Sequence, residues 1–296
     1  MTKIGILELR DDRFIEDIVS HLHEYEVELL SFGEQSIPIK SDYRVVVDRL
    51  SYSDPYLKEI VKNLSLDGTY VINNPFSSTT INKILDIKHF ESTGIPYPRT
   101  IVLPKIDKSG DLKEIIHEPD WDRITNEISF PCILKPFDGY AWTDVYKIGS
   151  LNELKTHYEG MKNDHILIVQ NLIKFVDYYR VFCINKRDVL ISKWNPKPFY
   201  MGEYICSDLK QIEDLKDKII ELTIKLNTIL DLDINAVEWC ITDDRQAIVI
   251  DAFNEVPDIV PEHLPEPYYN WLVEKFSECI KDKCNSNERN KTIFLP

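Results

Sequence analysis

Three oxygen-bearing side chains near the C-terminal end stand where two apolar runs stop. In "NAVEWCI" Glu238 interrupts an otherwise buried-looking strand. In "QAIVIDAFNEVPDIVP" (246 to 261) the run through Ala247, Ile248, Val249 and Ile250 ends at Asp251, and Asn254, Glu255 and Pro257 follow at once. A turn at "DDRQ" makes the two strands a hairpin, which brings both carboxylates to one end of a sheet. Two carboxylates and an amide oxygen are hard ligands that suit magnesium, an ion that takes its remaining oxygens from water and substrate phosphates. A lone acidic residue at a strand end more often just faces water; the company these residues keep favours the metal.

That company is cationic and polar. Lys135 follows an apolar strand in "CILKPFDG", a placement that suits a phosphate contact. Gln170 and Asn171 close "LIVQ" and "N" amid apolar residues, where backbone groups can meet the edge of a base. Asp177 suits ribose hydroxyls, and Arg180 in "YYRVFCI" suits phosphate oxygens bidentately. Lys193 on "DVLISKW" offers a second positive charge, although a solvated lysine is as good a reading. Arg49, after the strand "YRVVVD", is a candidate partner for a substrate carboxylate, with a structural ion pair the more ordinary role. The aromatic and proline-rich "WNPKPFYMGEY" (194 to 204) reads equally as a closing loop or a packed surface loop. The seven histidines form no cluster.

The elements that must position these groups fall into two styles. The first hundred residues alternate strand and helix: "KIGILEL", "VELLSF", "YRVVVDRL" and "TYVINNP" are strands, and "PYLKEIVKNLSLDG" and "STTINKILDIKHFESTG" are helices closed by Gly68 and Gly94. Such alternation favours a mainly parallel sheet. No G-x-G-x-x-G follows the first strand, so a dinucleotide fingerprint is absent. "IPYPRTIVLP" reads as a crossing between domains. Beyond it "CILKPF", "VYKIG", "HILIVQNLI", "YYRVFCI" and "DVLISKW" are strands joined by short turns, and "NKRD" is a hairpin turn. A long helix over "SDLKQIEDLKDKIIELTIKLNTIL" is expected to start with Ser207 as its N-cap. This half reads as α+β with antiparallel sheets.

Composition narrows the function. The formal charge of −15 argues against nucleic acid, whose binders displace counterions with a basic surface. None of the six cysteines has C-x-x-C spacing, which reads as a reduced, cytoplasmic protein. No run of 18 apolar residues exists, and the N-terminal apolar run is too short for a signal peptide, so no membrane partner is expected.

In this order, the pieces resemble the ATP-grasp superfamily, from about Val71 to Pro257. "VINNP…DIKHF" looks like the segment with the first nucleotide-binding lysine, here Lys88; "GIPYPRT" is similar to the element that follows; "FPCILKPFDG" matches the second lysine, Lys135. "ILIVQNLI" looks like the adenine hinge, and "AVEWCI" and "VIDAFNEVP" match the two metal-bearing strands. "VVVDRLSYSDPY" resembles the preceding domain of glutathione-synthetase-like and ribosomal-protein-glutamate-ligase-like members. The resemblance implies an N-terminal, mainly parallel α/β domain (1–103), a small α+β lid subdomain (104–172) and a C-terminal α+β subdomain with the metal site (173–296). It implies ATP and Mg²⁺ as cofactors, with Lys88, Lys135, Gly139, Gln170, Asn171, Ile173 and Asp177 around the nucleotide. Glu238, Asp251 and Asn254 would hold metal, Arg180 and Lys193 would act in catalysis, and Arg49 would meet the substrate. The implied reaction joins a small carboxylate to an amine through an acylphosphate. The same fold also serves small-molecule kinases and non-catalytic nucleotide binders, and it leaves room for a homodimer.

Three departures stand out. The lid segment "DGYAWTDVY" has Gly139 alone where the family usually has several glycines. "DAFN" is one residue longer than acid-x-Asn, so that a bulge must restore the geometry or Glu255 substitute. "DYYR" likewise spaces Asp177 and Arg180 one residue wider than D-x-R.

Overall fold

The computed structural model describes residues 1–9, 12–78, 82–106, 109, 111–139, 142–197 and 202–292. The chain opens with β1 (Lys3–Leu7), α1 (Arg13–Ser20), β2 (Glu26–Leu29), β3 (Val45–Asp48), α2 (Pro55–Leu66) and β4 (Tyr70–Ile72). The four strands form a parallel sheet in the order β2-β1-β3-β4. The helices start where the sequence supplies caps. Asp12 accepts from the Ile15 amide, and Asp54 accepts from Tyr56 and Leu57 with Pro55 in the first turn; such caps contribute about 1 kcal/mol each.

After the short helix α3 (Pro75–Ser78) comes α4 (Lys83–Thr93), capped by Asn82 and closed by Gly94 at φ 72°. Glycine suits that left-handed position because it has no Cβ to clash. The next sheet is built from β5 (Thr100–Leu103), α5 (Trp121–Glu127), β6 (Cys132–Pro136), β7 (Tyr146–Ile148), α6 (Leu151–Met161) and β8 (Leu167–Asn171). Its strand order is β5-β8-β6-β7, antiparallel throughout. Leu134, Leu167 and Val169 face α5 and α6 across one core; the alternate residues Lys135, Ile168 and Gln170 face the other way.

The third sheet contains β9 (Asp177–Ile184), β10 (Asp188–Asn195), β11 (Glu203–Ile205), then, after α7 (Lys216–Leu230), β12 (Ile234–Ile241) and β13 (Ala247–Asp251); α8 (Glu266–Asn285) ends the described fold. The order is β11-β10-β9-β12-β13, all antiparallel. Asn185 and Lys186, both at positive φ, make the β9–β10 hairpin. The expected long helix starts at Lys216, not after Ser207. Leu209 sits at φ 58°, only a short 3₁₀ turn covers Lys210–Ile212, and the Ser207 hydroxyl accepts from the Leu209 amide.

The first and third sheets share one core. Ile4, Ile6, Val45, Val47 and Ile72 pack with Phe182, Ile184, Ile234 and Ala236 under α1 and α8. Buried polar bonds fix the junction: Asn73 receives the amides of Asp233 (2.6 Å) and Ile234 (2.8 Å) and donates to the Ile234 carbonyl (2.7 Å), and the Tyr70 hydroxyl donates to Asp233 (2.7 Å). The opposite face of the third sheet packs on α7, and α4 joins that core through Phe90. This second packing fixes the C-terminal end of α4 relative to the third sheet.

Candidate active site

Glu238 and Asp251 are direct partners across the β12–β13 ladder. The pairing is irregular at this point: Trp239 faces Val249, while Glu238 faces Asp251, so Ile250 is an extra residue. In a regular ladder Asp251 would share a face with Val249, which is buried against α7. The bulge rotates it to the face that carries Glu238. The bulge that the sequence called for therefore lies before Asp251, not between Asp251 and Asn254.

Beside them on the same face stand Tyr178 and Arg180 of β9. Arg180 is the cross-strand partner of Glu238, with its Nε 3.9 Å from Oε1. The Tyr178 hydroxyl donates to Glu238 Oε2 at 2.6 Å, leaving Oε1 without a hydrogen bond. Arg180 Nη1 donates to the Tyr204 hydroxyl at 2.8 Å. With its amide oxygen turned toward Arg180, Asn254 accepts from Nη2 and donates to the Val256 carbonyl at 3.3 Å. Asn254 thus belongs to the Arg180 side of the site.

The opposite wall comes from α4 and the second sheet. Lys83, Asp86, Ile87 and Phe90 lie at i, i+3, i+4 and i+7 on α4, one helical face. With Tyr97, Pro98, Lys135, Ile168 and Gln170 they line a cleft that runs to Asp251 and Ala252. The cleft has about 310 Å³ of atom-free space counting its open mouth, but room for water-sized spheres of only about 20 Å³. This is a narrow slit, which must widen to take a nucleotide. Lys83 Nζ is 3.5 Å from Asp251 and donates to the Gly139 carbonyl at 2.8 Å. The Gln170 amide donates to Thr100 at 2.9 Å.

Asp86 and Lys135 are buried, and Lys83, Glu238, Asp251 and Glu255 are half-buried. Burial pushes Glu238 above the ordinary glutamate range in spite of Arg180. Burial also opposes the charge on Asp251, but Lys83 and Lys135 outweigh it and hold that carboxyl low. Lys135 is pulled below the usual lysine range by burial, against the attraction of Asp251. Burial and the nearby Asp251 push Asp86 up to about 8, and its Oδ1 has no hydrogen-bond partner. Glu255 is pushed up to about 7, by burial first and by Asp48 and Asp251 beyond that. Such a set suits an anion and a divalent cation arriving together: the cation relieves Glu238, and the anion takes up the lysines.

The structure places the other residues that the sequence singled out as follows. Lys88 points out of the site, with its side chain 77% exposed and paired with Glu91. It is five positions from Lys83 on a helix, about 140° round the axis, so the two cannot share a face. Lys193 pairs across the ladder with Tyr179, and Ser192 with Arg180, so the pleat turns Lys193 to the face away from Arg180. It forms an ion pair with Asp177, whose three-residue spacing from Arg180 likewise puts it on that other face. Asn171 accepts from the Ser129 amide at 3.0 Å and its own amide meets the Arg99 carbonyl, a brace at the end of β8. Ile173 is half-buried in the connection to β9. Arg49 is buried and paired with Glu8 at 3.0 Å, stacked over Phe14 at 5.3 Å, and its Nη1 has no partner. In the lid segment, Tyr140 and Ala141 lie outside the described residues, as do 198–201 of the aromatic loop. Trp142 and Asp144 take positive φ (62° and 55°), the conformation that glycine adopts freely.

Sequence reasoning missed Lys83, Asp86 and Tyr178, and took Tyr204 only as the end of the aromatic loop 194–204. The i, i+3, i+4, i+7 pattern from Lys83 to Phe90 was the available signal for the first two. Among the described residues no group of three or more His, Cys, Asp or Glu is placed to hold a metal. A site of two carboxylates therefore needs phosphate oxygens and water to complete a magnesium shell. Among them also, no helix is long and apolar enough to cross a membrane.

No protein-family model matches this sequence, and no curated protein does either. Solved structures do match. The D-alanine–D-alanine ligase of Bacillus anthracis, complexed with ATP, is 16% identical with a TM-score of 0.68, over 96% of this chain and 97% of that one. A RimK-domain ATP-grasp protein of Sphaerobacter thermophilus is 17% identical (TM-score 0.64; 96% and 100% covered). A RiPP-associated ATP-grasp ligase of Chryseobacterium gregarium, in complex with ADP and a leader and core peptide, is 14% identical (TM-score 0.66; 99% and 100% covered). The chain has the ATP-grasp fold over nearly its whole described length.

Proposed function

We propose that this protein is an ATP-dependent, ADP-forming carboxylate–amine ligase that works through an acylphosphate. The observation that carries the reading is Asp251 facing Lys83 and Lys135 across a slit, with Glu238 set beside it by the bulge, on a fold whose similar structures are ligases complexed with ATP or ADP. In this reading Glu238 and Asp251 hold Mg²⁺, which would neutralise and orient the phosphates when bound. Lys83 and Lys135 bind phosphate oxygens, and Gln170 lies beside the base. The second sheet acts as the lid, with Gly139 tied to Lys83. Arg180 meets the transferring phosphoryl group and then the oxyanion that forms as the amine attacks. Little covalent work falls to the protein; positioning and charge neutralisation carry the rate.

The substrate is a small carboxylate, an amino acid or a short peptide. Peptide substrates gain support from the similar structure that holds a leader and core peptide. Arg49 has a free Nη1 group, with two N–H donors, to offer a substrate carboxylate, beside its bond to Glu8. We place the protein in the cytoplasm, since all six cysteines are free thiols.

The test is direct. Protein with ATP, Mg²⁺ and pools of amino acids and peptides should release inorganic phosphate and ADP, and yield a new amide by mass spectrometry. A phosphorylated product with no free phosphate would make it a kinase. Magnesium-dependent thermal stabilisation by ATP without turnover on any pool would make it a binder.

A further inference from the structure

Arg180 is enclosed in a way that no part of the reading above requires. Its guanidinium carbon lies 5.1 Å from the ring centre of Trp194 and 6.0 Å from that of Tyr204. The two rings are themselves cross-strand partners on β10 and β11, with centroids 4.4 Å apart and tilted by 48°. Tyr204 also takes the Nη1 hydrogen bond, and Asn254 takes Nη2. The remaining Nε is buried and has no hydrogen-bond partner, with Glu238 Oε1 3.9 Å away. Gly202 lies against the indole: a Cβ built there would overlap Cζ2 and Cη2 of Trp194.

We propose that Trp194 and Tyr204 form an aromatic sleeve that fixes the plane of Arg180, and that Gly202 is what lets the sleeve close. The inference rests on the ligase reading but adds positioning residues to it. A guanidinium offers its donors in one plane, so its catalytic value depends on the angle of that plane to the reacting group. One ring face and one phenol hydroxyl define that angle from two directions. Stacking supplies the face and the hydrogen bond supplies the rotation within it. Tyr204 is on the edge strand β11 and Trp194 on its neighbour β10, so β11 reaches the reacting centre through Arg180. Trp194 can take its place only beside a residue without a side chain.

A double-mutant cycle tests this. Tyr204→Phe, Trp194→Leu and Gly202→Ala are made singly and in an Arg180→Lys background, which keeps the charge and removes the fork. Expected in the wild-type background is a 10- to 30-fold fall in kcat for phosphate release, with the Kd for MgATP within 3-fold of wild type. In the Arg180→Lys background each should cost less than a further 2-fold. Losses that multiply equally in both backgrounds, or a Tyr204→Phe variant with wild-type kcat, would overturn the proposal. Should Gly202→Ala fail to fold, the Tyr204→Phe pair carries the cycle. A second readout needs no turnover. The emission of Trp194, taken as wild type minus Trp194→Phe, should shift when Arg180 is replaced by Leu. An unchanged emission overturns the sleeve even if no substrate is found, and a protein that binds no MgATP while the emission does shift overturns the ligase reading instead.

Discussion

The two walls of the slit reach the same place by different means. On the β12–β13 wall, Glu238 and Asp251 meet because a ladder pairs them residue by residue, with one bulge correcting the face. On the α4 wall, Lys83 and Asp86 meet the slit because of a rotation about a helix axis, and nothing pairs them. A ladder tells its partners apart in steps of one residue. A helix offers two lysines within five positions and lets packing choose. Phe90, buried against α7, makes that choice: its face faces in, and the face with Lys88 is left to water.

The contrast breaks first at the ladder. Asp251→Asn removes the charge that Lys83 and Lys135 both lean on and half of the carboxylate pair. Turnover should fall about 10³-fold, and the thermal stabilisation by MgATP should lose its dependence on Mg²⁺. Phosphate release and a melting curve with and without EDTA check both. Near-normal turnover would remove Asp251 from the metal site.

The helix wall gives the next largest effect. Lys83→Ala should weaken ATP binding roughly 10- to 100-fold, the scale of one lost charged hydrogen bond, while Lys88→Ala should leave it within about 2-fold because an exposed lysine–glutamate pair one turn apart contributes little. Isothermal titration on the two variants side by side decides between them. A greater loss at Lys88 would mean that α4 turns its other face to the nucleotide.

The same distinction explains what could be read beforehand. Alternating apolar strands, the two hairpin turns and the glycine-closed helices are local patterns, and Gly68, Gly94 and the Asn185–Lys186 turn sit where those patterns put them. That Glu238 and Asp251 meet was legible because their strands are consecutive. Lys193 and Asp177 were misplaced because a period of two was not carried through "DYYR" and "ISKW": counting from Arg180 already sends both to the far face. The late start of α7 was not legible, since Ser207 and Asp208 are good capping residues and only the left-handed Leu209 breaks the run. The side chains of β11 were out of reach in another sense. Tyr204 becomes part of the site through its pairing with Trp194 and its hydrogen bond from Arg180, and an edge strand of three residues leaves almost no pattern.

The smallest effect sharpens the comparison on the helix side, and it is one of stability. Asp86 is held at about 8 in the folded protein, against about 4 in an unfolded chain. Between those values the folded state keeps a proton that the unfolded state has lost. Its contribution to stability is therefore complete below about pH 4 and is lost as pH rises toward 8. Asp86→Asn abolishes that slope. With no nucleotide present, the variant should melt close to wild type at pH 5 and several degrees higher at pH 8.5. That corresponds to roughly 2 kcal/mol, less than the full linkage because part of the wall can take up water. Asp251 on the ladder side gives the control: held low by two lysines, it should show no such gain on conversion to Asn. Parallel pH dependence in the two variants would mean that Asp86 is already charged against Lys83, and that the helix wall is a second ion-paired ladder in all but geometry.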